Sequence, residues 1–309
     1  MTLTQLKYMI AVAEAGNFTI AAEKSFVTQP TLSMQIQKLE EELGVQIFNR
    51  TKKPIRLTKV GSEILIQARK IISESKRMED VVAQEKGFIG GEFTLGIIPT
   101  VMPTLLPMFL NTFLKSYPKV NLKIEELTTE SIIERLAEGK LDAGIASTPL
   151  KQETIIERPL YYEPFVAYIP QEHRLFKSEK ISVDDIENEN VLLLEDGHCF
   201  KNQVLSMCSL TKSGLNKQFN LKSGSFETLV NLANEGLGMT LIPYLNSMNL
   251  SEKNSENIRN FPAPSPAREI SIIYPKSQLK LQIIEALKES ISGVVRGAIT
   301  FEDVQIIIP

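Results

Sequence analysis

The chain has 309 residues, 43% of them apolar and 23% charged, with a net charge of −3, two cysteines and two histidines. That length is too great for one small core, so two or three domains are expected. Two cysteines are too few for a secreted disulfide scaffold, and no apolar run approaches the ~20 residues of a membrane span, so a cytoplasmic protein with no membrane segment is expected.

MTLTQLKYMI opens the chain without the basic start, apolar block and small-residue cleavage site of a signal peptide. Residues 1–60 carry eight Lys/Arg against five acids, whereas the remainder carries 26 bases against 32 acids. A basic head on an acidic body suggests a nucleic-acid module attached to something else.

NFTIAAEKSFVTQPTLSMQIQKLEEELGVQIFNR (17–50) reads as two helices joined by a tight connection. Phe18 to Ser25 forms the first, with Ala21 and Ala22 allowing close approach. Thr28 is an N-cap and Pro30 lies in the first turn of the second. Leu32, Ile36, Leu39 and Leu43 form one buried stripe. Thr31, Met34, Gln37 and Lys38 point the other way. The acids Glu40, Glu41 and Glu42 would be repelled by phosphates, so only the N-terminal half, at the positive end of the helix dipole, should enter a groove. RTKKPIRLTK (50–59) then fits a wing along a DNA backbone.

These residues resemble the winged helix-turn-helix of LysR-type transcriptional regulators over residues 1–62. The resemblance implies double-stranded DNA as partner. Gln29, Pro30, Thr31, Ser33 and Gln35 would lie at or near the DNA, flanked by Met34 and Lys38. Arg50 would support phosphate contact beside Lys52 and Lys53. Ser25 stands where the family usually has a larger apolar residue.

From Thr58 to about Gly87 there is no proline, and Ile64, Ile71 and Met78 recur every seven residues with Ala68, Ser75 and Val82 between them. This predicts a long helix with a narrow apolar seam for a partner helix, a second copy of the chain being preferred over the body of its own. Two heads would then read two half-sites of an approximate palindrome. The family resemblance implies the same linker helix, and homotetramers as well as homodimers.

GFIGGE (87–92) marks the hinge into the body. There FTLGIIP, VNLKIEEL, AGIAS, FVAYIP, NVLLLE, GMTLIP and EISIIY alternate with helical stretches, which implies parallel α/β sheets. YYEP (161–164) and FPAPSPAR (261–268) look like crossings between lobes. The fold class expected is therefore α/β: a winged helix-turn-helix over 1–58, a linker helix over 59–87 and a regulatory domain over 88–309. The family resemblance gives that last domain two lobes like a periplasmic binding protein, lobe I about 92–162 with 268–309 and lobe II about 163–267. TFEDVQIIIP at the end is apolar and fits either an edge strand or an oligomer contact.

Both cysteines fall in LEDGHCFKNQVLSMC (194–208). Cys199 would sit near a helix N-terminus beside His198 and Lys201, an environment that favours a thiolate. A helical span from Cys199 to Cys208 would separate them by ~13 Å, whereas a disulfide needs Cα atoms within ~7 Å. Bonding would then unwind the segment; a folded-back loop would bond without large rearrangement. Buried, inert cysteines are the alternative. A metal site from His198, Cys199 and Cys208 lacks a fourth ligand and the usual short spacing, and neither metal nor cofactor is expected.

LEDGHC with Gln203 and a second cysteine nine residues on resembles the peroxide-sensing OxyR subgroup of that family. GIIPT, EGKLDAGI, SFETL and GMTLIP agree with it. The resemblance implies that hydrogen peroxide oxidises Cys199 and Cys208 resolves the product as a disulfide, after which RNA polymerase is recruited to oxidative-stress genes. It also implies that Thr100 and Thr129 supply hydroxyls near the peroxide, that His198 flanks the thiol and Asp142 lies near the site, and that Arg268 helps hold the reduced form. Lys201 and Asn202 depart from the subgroup's usual Arg and Asp. A regulator of the same family answering to a small metabolite between the lobes is the competing reading. A thiol peroxidase is the other, and the DNA-reading head argues against turnover as the purpose.

Overall fold

The computed structural model describes residues 1–51, 53–85, 89–187, 189–194, 199–207, 224–299 and 303–309, with Cys199 described in its backbone. Lys52, His198 and Cys208 lie outside the described residues. The chain forms two compact units, one running through the long helix and one beginning at Ile89.

The first unit holds α1 (Leu3–Ala15), α2 (Phe18–Lys24), α3 (Gln29–Leu43), the hairpin β1 (Phe48–Asn49) and β2 (Arg56–Leu57), and α4 (Lys59–Glu85). Each head helix starts on a side-chain cap. Thr2 forms a capping box with Gln5, Asn17 accepts from Thr19 and Ile20, and Thr28 accepts from Thr31 with Pro30 in the first turn. Leu32, Ile36 and Leu39 are fully buried against Leu6, Met9, Val12, Ala21 and Ala22. Leu43, expected in the same stripe, is exposed. It is the last residue of α3 before Gly44 turns the chain, and Ile47 and Phe48 fill the core in its place. Gly61 lies where α4 crosses the hairpin: an added Cβ would stand 2.2 Å from the Ile47 carbonyl oxygen.

Along α4, Ile64, Leu65, Ala68 and Ile72 pack on the head's own core. Ile71, Met78, Val81 and Val82 are exposed. The heptad seam is therefore divided: Ile64 and Ala68 serve the head, and Ile71 and Met78 face outward.

The second unit runs β3 (Gly91–Ile97), α5 (Met102–Ser116), β4 (Val120–Glu126), α6 (Thr129–Ala137), β5 (Ala143–Thr148) and β6 (Ile155–Tyr168). It continues through α7 (Val183–Ile186), β7 (Val191–Leu192), α8 (Cys199–Met207), α9 (Phe226–Asn234), β8 (Met239–Pro243), α10 (Tyr244–Ser247), α11 (Glu252–Ser255) and β9 (Ile258–Asn260). It closes with β10 (Ser265–Pro275), α12 (Leu281–Arg296) and β11 (Val304–Ile306). The strands follow the order β4-β3-β5-β10-β6-β8-β7, with β11 beside β10 and β9 beside β6. Strands β3, β4 and β5 are parallel, as are β7 and β8. β10 is antiparallel to β5 and β6, and β6 is antiparallel to β8 and β9, so the sheet is mixed rather than purely parallel.

Two hydrophobic cores flank this arrangement. Phe93, Leu95, Ile97, Phe109, Phe113, Ile132 and Leu287 build the first. Phe165, Tyr168, Val191, Phe200, Val204, Leu229 and Leu241 build the second. YYEP and FPAPSPAR, expected as crossings between lobes, are strand in part: YYEP lies inside β6 and residues 265–268 open β10. β6 contributes Tyr161 to the first core and Phe165 to the second within one strand. Pro159 lacks an N–H for the ladder, and the pairing shifts register there: Tyr161 faces Ile270, but Pro159 faces Ser271, leaving Leu160 over. The final segment is an edge strand, β11, parallel to β10 at Ser265–Ala267.

Candidate functional site

The carboxyl ends of β3, β4 and β5 form one edge of the sheet, the edge where open α/β sheets bind ligands. Ile97 lies beside Glu126 and beside Ile145 in register. Thr100 follows β3 by three residues and Thr129 follows β4 by the same interval, opening α6; both are buried. Ser147 and Thr148 end β5 and are fully buried. Three parallel strands thus deliver hydroxyls to one edge.

Arg268 on β10 crosses this edge and is 1% exposed. Its Nε and one terminal nitrogen donate to Glu163 Oε2 at 2.9 and 2.7 Å. The other terminal nitrogen donates to Thr100 Oγ1 at 2.9 Å, and the one that bonds Glu163 also donates to the Thr100 carbonyl at 3.1 Å. Glu163 is equally buried, and its second oxygen accepts from the Leu245 N–H at 3.0 Å. β10 and β6 place Arg268 directly opposite Glu163. An ion pair this deep stands only because every nitrogen of the fork and both carboxylate oxygens find partners.

The guanidinium lies over the ring of Phe200 at 5.4 Å. Phe200 is held edge-on between Phe165 and Phe226. This fixes the first turn of α8, and with it the backbone of Cys199, next to Arg268. One turn on, Gln203 is fully buried and donates through Nε2 to Ser147 Oγ at 3.2 Å and to the Ile307 carbonyl at 2.6 Å. α8 is therefore tied to β5 and to the terminal strand. Burial raises the Tyr161 phenol well above its ordinary value, Glu163 adds to the rise, and Arg268 opposes it.

Asp142 is not part of this cluster. It precedes β5 at the amino edge, where its carboxylate accepts from the Thr94 N–H at 2.8 Å and from Lys280 Nζ at 2.9 Å. Six residues of extended strand separate it from Thr148, roughly 20 Å. The expectation that Asp142 lies near the site is corrected on this ground: the Leu-Asp pair opens the strand whose other end carries the site. Sequence reasoning also missed Glu163 and Gln203. Both crossings had been noticed, and pairing them as strands would have set Glu163 against Arg268.

In the head, Gln29, Pro30, Thr31, Met34 and Lys38 are exposed on α3, and Ser33 and Gln35 are half-buried. Arg50 bonds to Glu40 at 2.8 Å and lies over Phe18 at 5.2 Å. Glu40 also accepts from the Ile47 and Phe48 N–H groups at 2.8 and 3.1 Å. One acid of the run is thus a brace for the hairpin, not only a charge kept from phosphate. Lys53 is exposed on the hairpin loop.

Residues 3–62 match the family model of the bacterial regulatory helix-turn-helix protein, lysR family, and residues 86–295 match the LysR substrate binding domain. The chain is 34% identical to the "Hydrogen peroxide-inducible genes activator" of Pectobacterium carotovorum, across 95% of this chain and 98% of the relative. It is equally identical to the "DNA-binding transcriptional dual regulator OxyR" of Escherichia coli K12, across 95% and 97%. This chain is an OxyR-like member of the LysR family.

Solved structures agree. Full-length OxyR of Pseudomonas aeruginosa, carrying aspartate in place of a cysteine, superposes with a TM-score of 0.78 at 33% identity, covering 94% of each chain. A cysteine-to-serine OxyR variant of Corynebacterium glutamicum with hydrogen peroxide bound gives 0.62 at 27% identity, covering 99% of this chain and 98% of that one. For an OxyR-like chain, the second core also borders a cleft of about 880 Å³, with Thr104 and Thr128 on one side and Ser225 and Phe226 on the other. Among the described residues, no helix is long and apolar enough to cross a membrane.

Proposed function

We propose that this chain is a DNA-binding transcriptional regulator switched by hydrogen peroxide through Cys199 and Cys208, acting in the cytoplasm as a homodimer or homotetramer. The observation that carries the reading is that Cys199 opens α8 immediately before Phe200, whose ring supports the buried Arg268–Thr100 contact. A helix N-terminus and a nearby guanidinium both favour a thiolate.

The Cys199 thiolate attacks one peroxide oxygen. An S–O bond forms, the O–O bond breaks, and the departing hydroxide takes a proton to become water. The hydroxyls of Thr100 and Thr129 hydrogen-bond the peroxide as its charge moves. His198 flanks the thiol. Cys208 then attacks the sulfenic sulfur, an S–S bond forms and a second water leaves. Two thiols have lost two protons and two electrons, and one peroxide has become two waters.

α8 spans Cys199–Met207, so Cys199 stands ~12 Å along the helix axis from Met207, the residue before Cys208, while a disulfide requires Cα atoms within ~7 Å. The bond forms only if α8 unwinds. Unwinding withdraws Phe200 from Arg268 and Gln203 from Ser147 and Ile307. Through the exposed Ile71 and Met78 face of α4, which pairs with a second copy, the rearrangement respaces the heads. Gln29, Pro30, Thr31, Ser33, Met34, Gln35 and Lys38 read the major groove, and Arg50, Lys52 and Lys53 follow the backbone. Recruitment of RNA polymerase follows from the altered contact.

The test is intact mass and free-thiol count during seconds of near-stoichiometric hydrogen peroxide, beside Cys199→Ser. Rapid loss of both thiols and of two hydrogens, absent in the variant, is expected. Survival of both thiols would overturn the reading and move attention to a metabolite in the 880 Å³ cleft.

A further inference from the structure

The turn between α2 and α3 holds a residue that the fold itself has no use for. Helix α2 ends in a Schellman motif: the Val27 N–H donates to the Ala22 carbonyl and the Phe26 N–H to the Glu23 carbonyl, both at 3.1 Å. That motif requires a left-handed residue at Phe26, whose φ is +54°. Glycine is the usual occupant, because a Cβ is strained there. The same head ends α1 on Gly16 at φ +59° and α3 on Gly44 at φ +68°. At the third helix end it places a phenylalanine, and the side chain is 96% exposed. The neighbouring Val27 packs on the core; the Phe26 ring does not. A large apolar side chain in a strained position, with nearly all its surface in water, stabilises nothing within the chain.

Its place supplies the use. Phe26 stands two residues before the Thr28 cap of α3, and three residues span at most ~10 Å of extended chain to Gln29. It is continuous with the exposed N-terminal end of the helix assigned to the major groove, and Lys24 ends the preceding helix. We propose that Phe26 is a DNA contact, its ring covering deoxyribose and thymine-methyl carbons beside the point where α3 enters the groove. This rests on the DNA-binding reading of the head and adds an apolar element to its polar contacts.

The test uses the full chain with a duplex that the wild-type protein enriches from a random-sequence library. Phe26→Gly and Phe26→Asn both suit the left-handed backbone. Each is expected to unfold at the same or a higher temperature than wild type and to bind the duplex about tenfold more weakly, the scale of one buried aromatic contact. The slope of log affinity against log salt should be unchanged, because no phosphate partner is removed. Phe26→Leu should fall between. Unchanged affinity in both variants would overturn the proposal. So would weaker binding accompanied by a lower unfolding temperature, or a salt slope reduced by about one unit. If wild type enriches no duplex at all, the DNA-binding reading fails first.

Discussion

Replacing Glu163 by Ala leaves the Arg268 guanidinium, 1% exposed, with Thr100 and the Phe200 ring but without its carboxylate. Breaking a buried pair by removing one partner costs about 3–5 kcal/mol, mostly through the charge left uncompensated. Arg268→Met does the same to Glu163, whose remaining partner is the Leu245 N–H. For a unit of this size, such a loss lowers the unfolding temperature by roughly 6–20 °C. Replacing both by Leu and Met removes both charges and should recover most of that stability. Calorimetry of the full chain, following the transition of the second unit, reads all three variants. Because Arg268→Met also frees Thr100, the double variant should regain stability yet react more slowly with peroxide, which separates the two roles. The reasoning fails if either single variant shifts the transition by less than about 2 °C, or if the double variant loses the sum of the two.

Gly61→Ala drives a methyl group into the Ile47 carbonyl, 2.2 Å away, and should destabilise the head by about 1–3 kcal/mol, visible as an earlier head transition in the same scan. Glu40→Ala leaves the Ile47 and Phe48 N–H groups and Arg50 without their shared acceptor. We expect a loss of about 2 kcal/mol and weaker DNA binding despite the removal of an acid. Tyr161 has its phenol pushed up by burial first and then by Glu163, so its neutral form is favoured in the folded chain. The stability tied to that preference is complete below about pH 10 and is lost as pH climbs from there through the raised value. Tyr161→Phe should abolish that alkaline loss in urea midpoints measured from pH 8 upward, and should not destabilise at neutral pH, since the hydroxyl has no partner among the described residues. Ending the chain at Asp303 removes β11 and the Ile307 carbonyl that accepts from Gln203. Proteolysis of the reduced protein should then reach α8 faster than in the intact chain.

The head was legible because its determinants are local. A cap at Thr28, a proline in the first turn and a stripe at 4-3 spacing lie within a dozen residues, and each acts over one or two turns. Even there, MTLTQLKYMI was read only for what it lacked, although Thr2 and Gln5 form the capping box that starts α1. Glu40 looked like one charge among three; its role as acceptor for the hairpin depends on a turn that returns Ile47 beneath it. The body was less legible because its determinants lie far apart in sequence. Glu163 and Arg268 are 105 positions apart and meet only through strand register. The prolines of YYEP and FPAPSPAR marked the crossings without showing that long strands make them. Asp142 was misplaced for the opposite reason: proximity in sequence to β5 says nothing about which end of the strand carries the chemistry. Gln203 was quoted as part of a pattern, but its acceptors on β5 and at Ile307 belong to segments 56 and 104 positions away.

The passage of β6 through both cores has a consequence for how this protein can fail. The lobes are not beads on a string: β6 lines the first core with Tyr161 and the second with Phe165, and it is bonded to β10 along one stretch and to β8 along the next. Lobe II cannot come undone without stripping backbone partners from β6, a strand that lobe I also needs. Damage on either side is therefore shared, and the second unit should melt once, as a single cooperative body. A lesion beside α8 and one beneath α12 would then reduce the folded population of the same species.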